Sequence, residues 1–304
     1  MDNLRGILFI LLAMFAFTVE DVFIKQLSGT IAVGQILLLI GLGSTAIFAV
    51  AALLRRKRLF APEAWRGPFI WRMLAEACAA MAFATSLSLV DISVVAAVFQ
   101  ATPLAITLGA ALFLGEEVGW RRWSAILVGF LGVLLIIRPG LAGFEPEALL
   151  VVVAVLFVAA RDLITRRIDA AVDSTVVSFQ AFSSLVVAGP LLLLATGGQM
   201  HPMSSGEIAM IIGALTFSAI GYYGIVAGMR IGEAAVVTPF RYTRLLFSII
   251  AGVLVFNERP DALTLFGACL IIATGLYTVL RERKLACAQL HSAPKQVKES
   301  PTNP

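Results

Sequence analysis

Ten runs of mostly apolar residues follow one another along the chain, separated by short polar or turn-forming segments. The runs lie at 5–25, 31–54, 68–90, 92–114, 124–138, 147–167, 174–195, 207–229, 234–256 and 262–280. About 20 apolar residues are the length that a helix needs to cross the hydrocarbon core of a bilayer. The fifth run is the shortest, and Trp120 and Trp123 before it are placed to anchor it among lipid headgroups. The pattern predicts an all-α integral membrane protein with ten transmembrane helices.

Two parts of this pattern repeat each other. The run DISVV at 91–95 recurs in the second half of the chain as EAAVV at 233–237. At the same separation, LFLGE at 112–116 recurs as LVFNE at 254–258. Duplicated hydrophobic halves are typical of transporters.

The ends of the first helices of the two halves also correspond, at nearly the same separation. Asp21 and Lys25 match Asp162 and Arg166, so each half begins with a helix that ends in an acid and, one helical turn later, a base. Residues at i and i+4 on a helix are neighbours, and we therefore expect Asp21 to pair with Lys25.

The repeat divides the chain into residues 5–138 and 147–280, with five predicted spans each. The remaining tail at 285–304 is polar and contains three prolines, which predicts a disordered segment. Most basic loop residues, including the run at 55–58, share one side of the membrane if the amino terminus is cytoplasmic, and the positive-inside rule then places both termini in the cytoplasm. Because five is odd, the second half enters the membrane inverted, as in carriers that open alternately to each side.

Composition excludes several classes of function. With 60% hydrophobic and only 14% charged residues, the chain is no ordinary soluble enzyme. The net charge of +4 follows from the basic loops beside a lipid bilayer and implies no nucleic acid. The two histidines and three cysteines are too scattered for a metal site or a disulfide, and no phosphate-binding loop or dinucleotide motif is present. We therefore expect no cofactor and no metal.

Ionisable residues at membrane depth carry the candidate chemistry, because a charge near the bilayer centre requires a cavity or a partner. Counted from the cytoplasmic ends of their spans at 1.5 Å per residue, Glu76, Arg241 and Arg244 lie about 14, 12 and 16 Å deep. Our hypothesis is that the two arginines bind a polar or anionic group of a substrate, with Glu76 as their counter-ion when the site is empty. The alternative is structural: Arg72 pairs with Glu76 within one helix, and Arg241 locks two helices together.

Aromatic side chains are concentrated in the spans around this site. Phe99, Tyr222 and Tyr242 could stack on a flat ring, although such residues face lipid equally often. Phe99 and Thr102 occupy the positions of the first half that correspond to Arg241 and Arg244, so one half would supply charge and the other a stacking and hydroxyl surface.

Three other glutamates have competing interpretations. Glu20, near the outer end of the first helix, is either an interfacial anchor or a proton acceptor, and Glu76 is a second candidate for proton coupling. Glu116 and Glu258 stand at the ends of spans beside turn residues, which favours a role in capping or loop structure over substrate contact.

The segments 112–140, LFLGEEVGWRRWSAILVGFLGVLLIIRPG, and 235–254, which contains PFRYT, resemble the EamA-type carriers of the drug/metabolite transporter superfamily. The resemblance extends over about residues 5 to 284. It implies two inverted five-helix repeats, a central cavity lined mainly by the third, fourth, eighth and ninth helices, and alternating access without ATP.

This resemblance leaves the substrate open, since such carriers move amino acids, nucleotide-linked metabolites, S-adenosylmethionine, metal chelators and vitamins in either direction. Surplus arginine near aromatic rings favours uptake of a vitamin such as riboflavin across the inner membrane. Export of amino acids or related metabolites, or carriage of S-adenosylmethionine, is the alternative, and an intramembrane enzyme that uses Glu20 and Glu76 as acid and base is a distant one. The expected assembly is a monomer or a homodimer.

Overall fold

The computed structural model describes residues 2–116, 119–141, 144–166 and 172–292, and within these ranges the regular elements are all helices. The α-helices are α1 (Asp2–Leu27), α2 (Val33–Leu54), α3 (Gly67–Leu89), α4 (Ile92–Phe99), α5 (Thr102–Phe113), α6 (Trp120–Ile137), α7 (Leu149–Thr165), α8 (Ser174–Thr196), α9 (Ser205–Ile231), α10 (Ala234–Val237), α11 (Thr243–Phe256) and α12 (Ala262–Ser292). Three short 3-10 helices cover Pro62–Trp65, Pro146–Ala148 and Thr238–Tyr242.

Ten segments of these helices are long and apolar enough to cross a membrane, which confirms the predicted spans. Two spans are interrupted. The fourth divides into α4 and α5 just before Pro103, and the ninth consists of α10, the 3-10 helix that contains Pro239, and α11. Proline lacks a backbone N–H and its ring crowds the preceding turn, so a regular helix ends at these points.

Several helices begin or end at residues with recognisable capping chemistry. The Asp173 carboxylate accepts from the backbone N–H of Thr175 at the start of α8, and Ser204 and Glu207 form a capping box at the start of α9. Arg138 and Asn257 terminate α6 and α11 in the left-handed conformation.

Helices from different repeats pack closely against each other: α1 lies on α9, α2 on α8, α3 on α7 and α6 on α12. Small residues allow these approaches. A Cβ atom on Gly34 would lie 2.5 Å from the carbonyl oxygen of Gly189, and one on Gly189 would lie 2.5 Å from the carbonyl oxygen of Gly34. The two repeats therefore share one interior rather than forming two separate bundles.

Because the number of spans is even, the start of α1 and the end of α12 lie on the same side of the bundle, called here the terminal side; the other is the far side. Helix α12 continues through Ser292 and so includes the first part of the tail predicted to be disordered. The segment RERKLACAQLHS at 281–292 is rich in residues with high helix propensity, which explains the extension. Residues 293–304 lie outside the described part of the chain.

Candidate functional site

A central cavity of about 350 Å³ lies between α1, the broken fourth span, α7, the broken ninth span and α12. This volume is in the range of sites for small organic ligands. Phe17, Phe99 and Tyr242 supply its aromatic surface. The polar side chains that line it are those of Gln100, Thr102, Arg161, Asp162, Thr238, Arg241 and Arg244.

Both interruptions of the spans border this cavity. The Thr102 hydroxyl donates to the carbonyl oxygen of Phe99 at 2.6 Å, and the Thr243 hydroxyl donates to that of Phe240 at 2.6 Å. A threonine side chain thus satisfies a backbone carbonyl near each break. The Gln100 amide donates to the carbonyl oxygen of Tyr242 at 3.3 Å and links the two breaks. Irregular backbone at membrane depth is thus paired within the protein.

Arg244 is anchored at the cavity wall by an acidic residue of α1. Its Nη2 lies 2.7 Å from the Asp21 carboxylate, which is buried. The guanidinium carbon also lies 5.5 to 5.7 Å from the ring centres of Phe17, Phe83 and Phe99, within the range of cation–π attraction. The sequence-based pairing of Asp21 with Lys25 is therefore wrong, because Asp21 faces α11.

Arg241 differs from Arg244 in having no acidic group within 4 Å among the described residues, while its side chain is exposed in the central cavity. The Asp162 carboxylate lines the same cavity but is held 2.8 Å from Arg161. A guanidinium without an acidic partner within 4 Å, in a cavity that also offers aromatic surface, favours a ligand that carries negative charge or several acceptors.

Glu76 is not the counter-ion of Arg241 or Arg244. Its carboxylate lies 2.9 Å from Arg161 of α7 and 3.6 Å from Arg72, one turn before it on α3. The Arg72 Nε also donates to the Thr165 hydroxyl at 3.0 Å. Equal insertion depth placed Glu76 with Arg241 and Arg244, but depth carries no information on which face of α3 the carboxylate occupies. The structural alternative, an i, i+4 pair with Arg72, is the one observed.

Two more of the predicted residues have separate surroundings. Tyr222 lines a smaller cavity of about 130 Å³ between α2, α8 and α9, where its hydroxyl is 2.6 Å from that of Ser178. Glu20 lies beside Asp21 and close to the Ser218 hydroxyl of α9. The structure therefore brings together Phe99, Thr102, Arg241, Tyr242 and Arg244, and places Glu20, Glu76 and Tyr222 around them.

Arg161, Asp162 and Gln100 are cavity residues that the sequence interpretation left out of the site. Arg161 and Asp162 lie inside the sixth apolar run, so their charge within a span was the available signal. Gln100 carries no charge, but it occupies the position of the first repeat that corresponds to Tyr242 in the second.

The Glu258 carboxylate lies on the far side, just after the end of α11. It accepts from the backbone N–H of Ile92 at 2.7 Å and from the Ser93 hydroxyl at 2.7 Å, and it pairs with Lys25 at 3.5 Å. This arrangement confirms the capping role predicted for Glu258. Partial burial first, and then the Glu258 charge, raise the pKa of neighbouring Asp91, while Lys25 opposes the shift.

Within the part of the chain that the structure describes, no group of three or more His, Cys, Asp or Glu side chains is arranged to hold a metal ion. Cys78 and Cys269 are free thiols.

The chain matches the model of the EamA-like transporter family over residues 4–138 and again over residues 146–280. A solved crystal structure superimposes with a TM-score of 0.63 at 18% identity, covering 92% of this chain and 98% of that one, which shows a shared fold.

Among curated relatives, the S-adenosylmethionine uptake transporter of Rickettsia conorii is 30% identical over 65% of this chain and 66% of its own length. The riboflavin transporter of Rhizobium johnstonii is 30% identical over 72% of each chain. The pseudopaline exporter CntI of Pseudomonas aeruginosa is 26% identical over 88% of this chain and 93% of its own. The ten spans and the two matched repeats lead to one conclusion: this chain is a multi-pass membrane protein that belongs to the EamA-like transporter family.

Proposed function

We propose that this protein is a secondary carrier of the inner membrane that moves a small polar organic metabolite by alternating access, and that its favoured cargo is a planar heterocycle such as riboflavin. In this proposal both termini are cytoplasmic, which makes the terminal side the inner side, and the direction is uptake. The basic loops support that orientation, and the inverted order of five spans per repeat supports alternating access.

The observation that carries the substrate class is Arg241. Its charge has no acidic partner within 4 Å among the described residues, and Phe99 and Tyr242 line the same cavity. A flat ring can stack on the aromatic surface while its carbonyl or hydroxyl groups accept from the guanidinium. Arg244, already neutralised by Asp21, would shape the site rather than bind charge.

A second cargo class is an α-amino acid derivative such as S-adenosylmethionine, and one feature of the cavity favours it. The Asp162 carboxylate lies in the same cavity as Arg241, so a zwitterionic group would find both signs of charge. The relatives named for S-adenosylmethionine uptake support the same class, and the exporter relative keeps outward transport as the alternative direction.

Proton coupling is part of the proposal, and Glu20 is its preferred carboxyl. Protonating Glu76 would break ion pairs with Arg72 and Arg161. Glu20 instead interacts with a neutral hydroxyl, that of Ser218, and stands next to the acid that holds Arg244. Glu20 and Glu76 have different partners, which supports a carrier over an intramembrane enzyme that would use the two as acid and base.

Flux of labelled riboflavin, S-adenosylmethionine and amino acids into proteoliposomes tests the function. The variants are Arg241→Ala, Arg241→Lys, Asp162→Asn and, as a matched control, Arg58→Ala on an exposed loop. We expect saturable riboflavin flux that falls about 10- to 100-fold in Arg241→Ala, the effect of losing a charge-assisted hydrogen bond, and is unchanged in Arg58→Ala.

Loss of flux in Asp162→Asn, with S-adenosylmethionine as the transported solute, would select the zwitterionic cargo instead. If another solute is transported and its flux persists in Arg241→Ala, the protein is still a carrier but Arg241 does not belong to its binding site. An imposed pH gradient that drives the wild type but not Glu20→Gln would assign the coupling carboxyl.

A further inference from the structure

Two glutamates at corresponding positions of the repeats leave their helices with the same backbone geometry. Gly115 and Asn257, the residues before them, both adopt positive φ, 67° and 54°. The Glu116 N–H donates to the carbonyl oxygen of Ala110 at 3.3 Å, and the Glu258 N–H donates to that of Gly252 at 2.9 Å. The members of each pair stand at matching positions of the two repeats. The two carboxylates are thus structural equivalents on opposite sides of the membrane.

The surroundings of the two carboxylates are very different. The Glu258 side chain is only 3% exposed, because it accepts from the backbone N–H groups of Ile92 and Ser93 at the start of the fourth span and pairs with Lys25. Glu116 lies 3.3 Å from Arg166, and these two side chains are 48% and 53% exposed.

The basic partners correspond as well. Arg166 is the counterpart of Lys25 in the second repeat, so each half supplies a base at the end of its first helix to the glutamate of the other half. The backbone N–H groups that correspond to the Glu258 contacts are those of residues 234 and 235, where the ninth span begins. The N–H just before them, that of Glu233, donates to the Asn3 side chain at 2.9 Å.

We propose that Glu258 and Glu116 are the two gate residues of the transport cycle, each binding the start of the other repeat's cavity span when its own side is closed and releasing it when that side opens. This assignment rests on the proposed function, because it requires two alternating states. In the present state Glu258 is engaged, so the far side is closed, and Glu116 is released. In the opposite state Glu116, with Arg166 beside it, binds the backbone N–H groups of residues 234 and 235, and Glu258 and Lys25 separate.

The physical basis is the strength of a carboxylate bonded to several donors. Glu258 receives two backbone N–H groups and one hydroxyl, and bonds to an ionised acceptor are roughly twice as strong as neutral ones. Such a carboxylate cannot remain buried once these donors leave, because an unpaired buried charge is costly. Release therefore requires hydration, and the exposure of Glu116 and Arg166 matches the released form.

The two gates are not equally strong. A Cβ atom on Gly252 would lie 2.4 Å from Glu258 Oε2, so the engaged carboxylate packs directly against this glycine and would have to shift for a larger residue. The corresponding residue of the first repeat is Ala110, which carries a methyl group. In this assignment the terminal-side gate binds less well, which fits a state in which Glu258 is engaged and Glu116 is exposed.

Thiol labelling from each side of the membrane tests the assignment without any substrate. Cys78, Cys269 and Cys287 are first replaced by serine. Ala96→Cys, one turn inward from Ile92, then reports far-side access, and Ile106→Cys in the central cavity reports terminal-side access. A membrane-impermeant maleimide is added to sealed vesicles of either orientation, for the parent protein and for Glu258→Gln and Glu116→Gln.

We expect Glu258→Gln to raise the far-side labelling rate of Ala96→Cys about tenfold and to lower terminal-side labelling of Ile106→Cys. Glu116→Gln should act in the opposite sense, reducing far-side labelling. The exposed residues Glu63 and Glu147 provide matched controls, since Glu63→Gln and Glu147→Gln should leave both rates within about twofold of the parent. A purely structural role would not produce shifts of opposite sign.

If Glu258→Gln fails to fold, Lys25→Gln removes the ion pair but keeps the backbone bonds, and it should shift labelling in the same direction by a smaller factor. If both sides are labelled but the rates change in neither glutamate variant, or change in the same direction in both, the gate assignment is wrong. The carrier function would still hold. Labelling confined to one side in every variant would contradict alternating access as well, and with it the proposed function.

Discussion

Asp21 and Arg244, which are far apart in the sequence, form an ion pair of 2.7 Å that joins α1 to α11 at the cavity wall. The acid comes from the first repeat and the base from the second. Asp21 is 4% exposed, whereas the Arg244 side chain is 20% exposed at the cavity and has three phenylalanine ring centres within 5.7 Å of its guanidinium carbon. The pair therefore holds the two repeats together, in addition to any contact with a substrate.

The first prediction is that Asp21→Asn destabilises the protein by about 3 to 5 kcal/mol, the cost of leaving a buried charge without its partner. Arg244→Gln should cost a similar amount. The double variant should be less destabilised than the sum, because it leaves no unpaired charge. Unfolding in detergent, followed for the four proteins, measures the coupling, and strictly additive losses would show that the pair contributes nothing.

Tyr242 yields a second prediction, because its buried hydroxyl has no hydrogen-bond partner among the described residues and points at Gly275 of α12. Tyr242→Phe removes this unsatisfied group, so stability should be unchanged or rise by about 1 kcal/mol. Transport should persist in Tyr242→Phe but fall in Tyr242→Ala, since the ring lines the cavity. Loss of transport in Tyr242→Phe would show instead that the hydroxyl binds the cargo.

The third prediction concerns pH and the aspartate that caps α8. The hydrogen bond from the Thr175 N–H, assisted by Lys57, lowers the pKa of Asp173 from 3.8 to about 2. A depressed pKa means that the stability from this cap is present above pH 3.8 and is lost as the pH falls toward 2. In unfolding measurements, the difference between the wild type and Asp173→Ala should therefore shrink across this window. A difference that stays constant would mean that the charge of Asp173 is not what stabilises the helix.

The contact between Gly34 and Gly189 is the basis of a fourth prediction. A methyl group at either position would meet the backbone of the opposite helix at 2.5 Å, so Gly34→Ala and Gly189→Ala should each separate α2 from α8 and cost about 1 to 3 kcal/mol. Gly67→Ala is the matched control, because no atom lies within 4 Å of its added Cβ. Thermal stability in detergent distinguishes the three variants, and equal values would mean that α2 and α8 can relax apart freely.

Much of the fold follows from the sequence, because the length of an apolar run determines whether a helix can cross the bilayer and the repeat fixes which runs correspond. The breaks at Pro103 and Pro239 were also visible as prolines inside spans. The pairing of charged residues could not be predicted from the sequence. Asp21 could reach Lys25 along its own helix, but it faces α11, and the rotation of a helix about its axis depends on packing that periodicity alone does not give.

The site was predicted in part for the same reason. Depth along each span predicted that Glu76, Arg241 and Arg244 share one level; the two arginines line one cavity, but the Glu76 carboxylate pairs with Arg161 of α7. Arg161 was overlooked within an apolar run, yet it lines the cavity between Glu76 and Asp162. Charges inside spans indicate that a cavity exists, whereas their partners depend on the contacts between repeats.

The exchange of packing partners between repeats has a consequence for biosynthesis. Helices α1, α2 and α3 find their main partners in α9, α8 and α7, which the ribosome makes later. The first five spans must therefore remain in the bilayer with these packing faces covered by lipid until the second half is made. Neither half should accumulate when expressed by itself, while two separately translated halves, once they meet in one membrane, should assemble into the complete carrier.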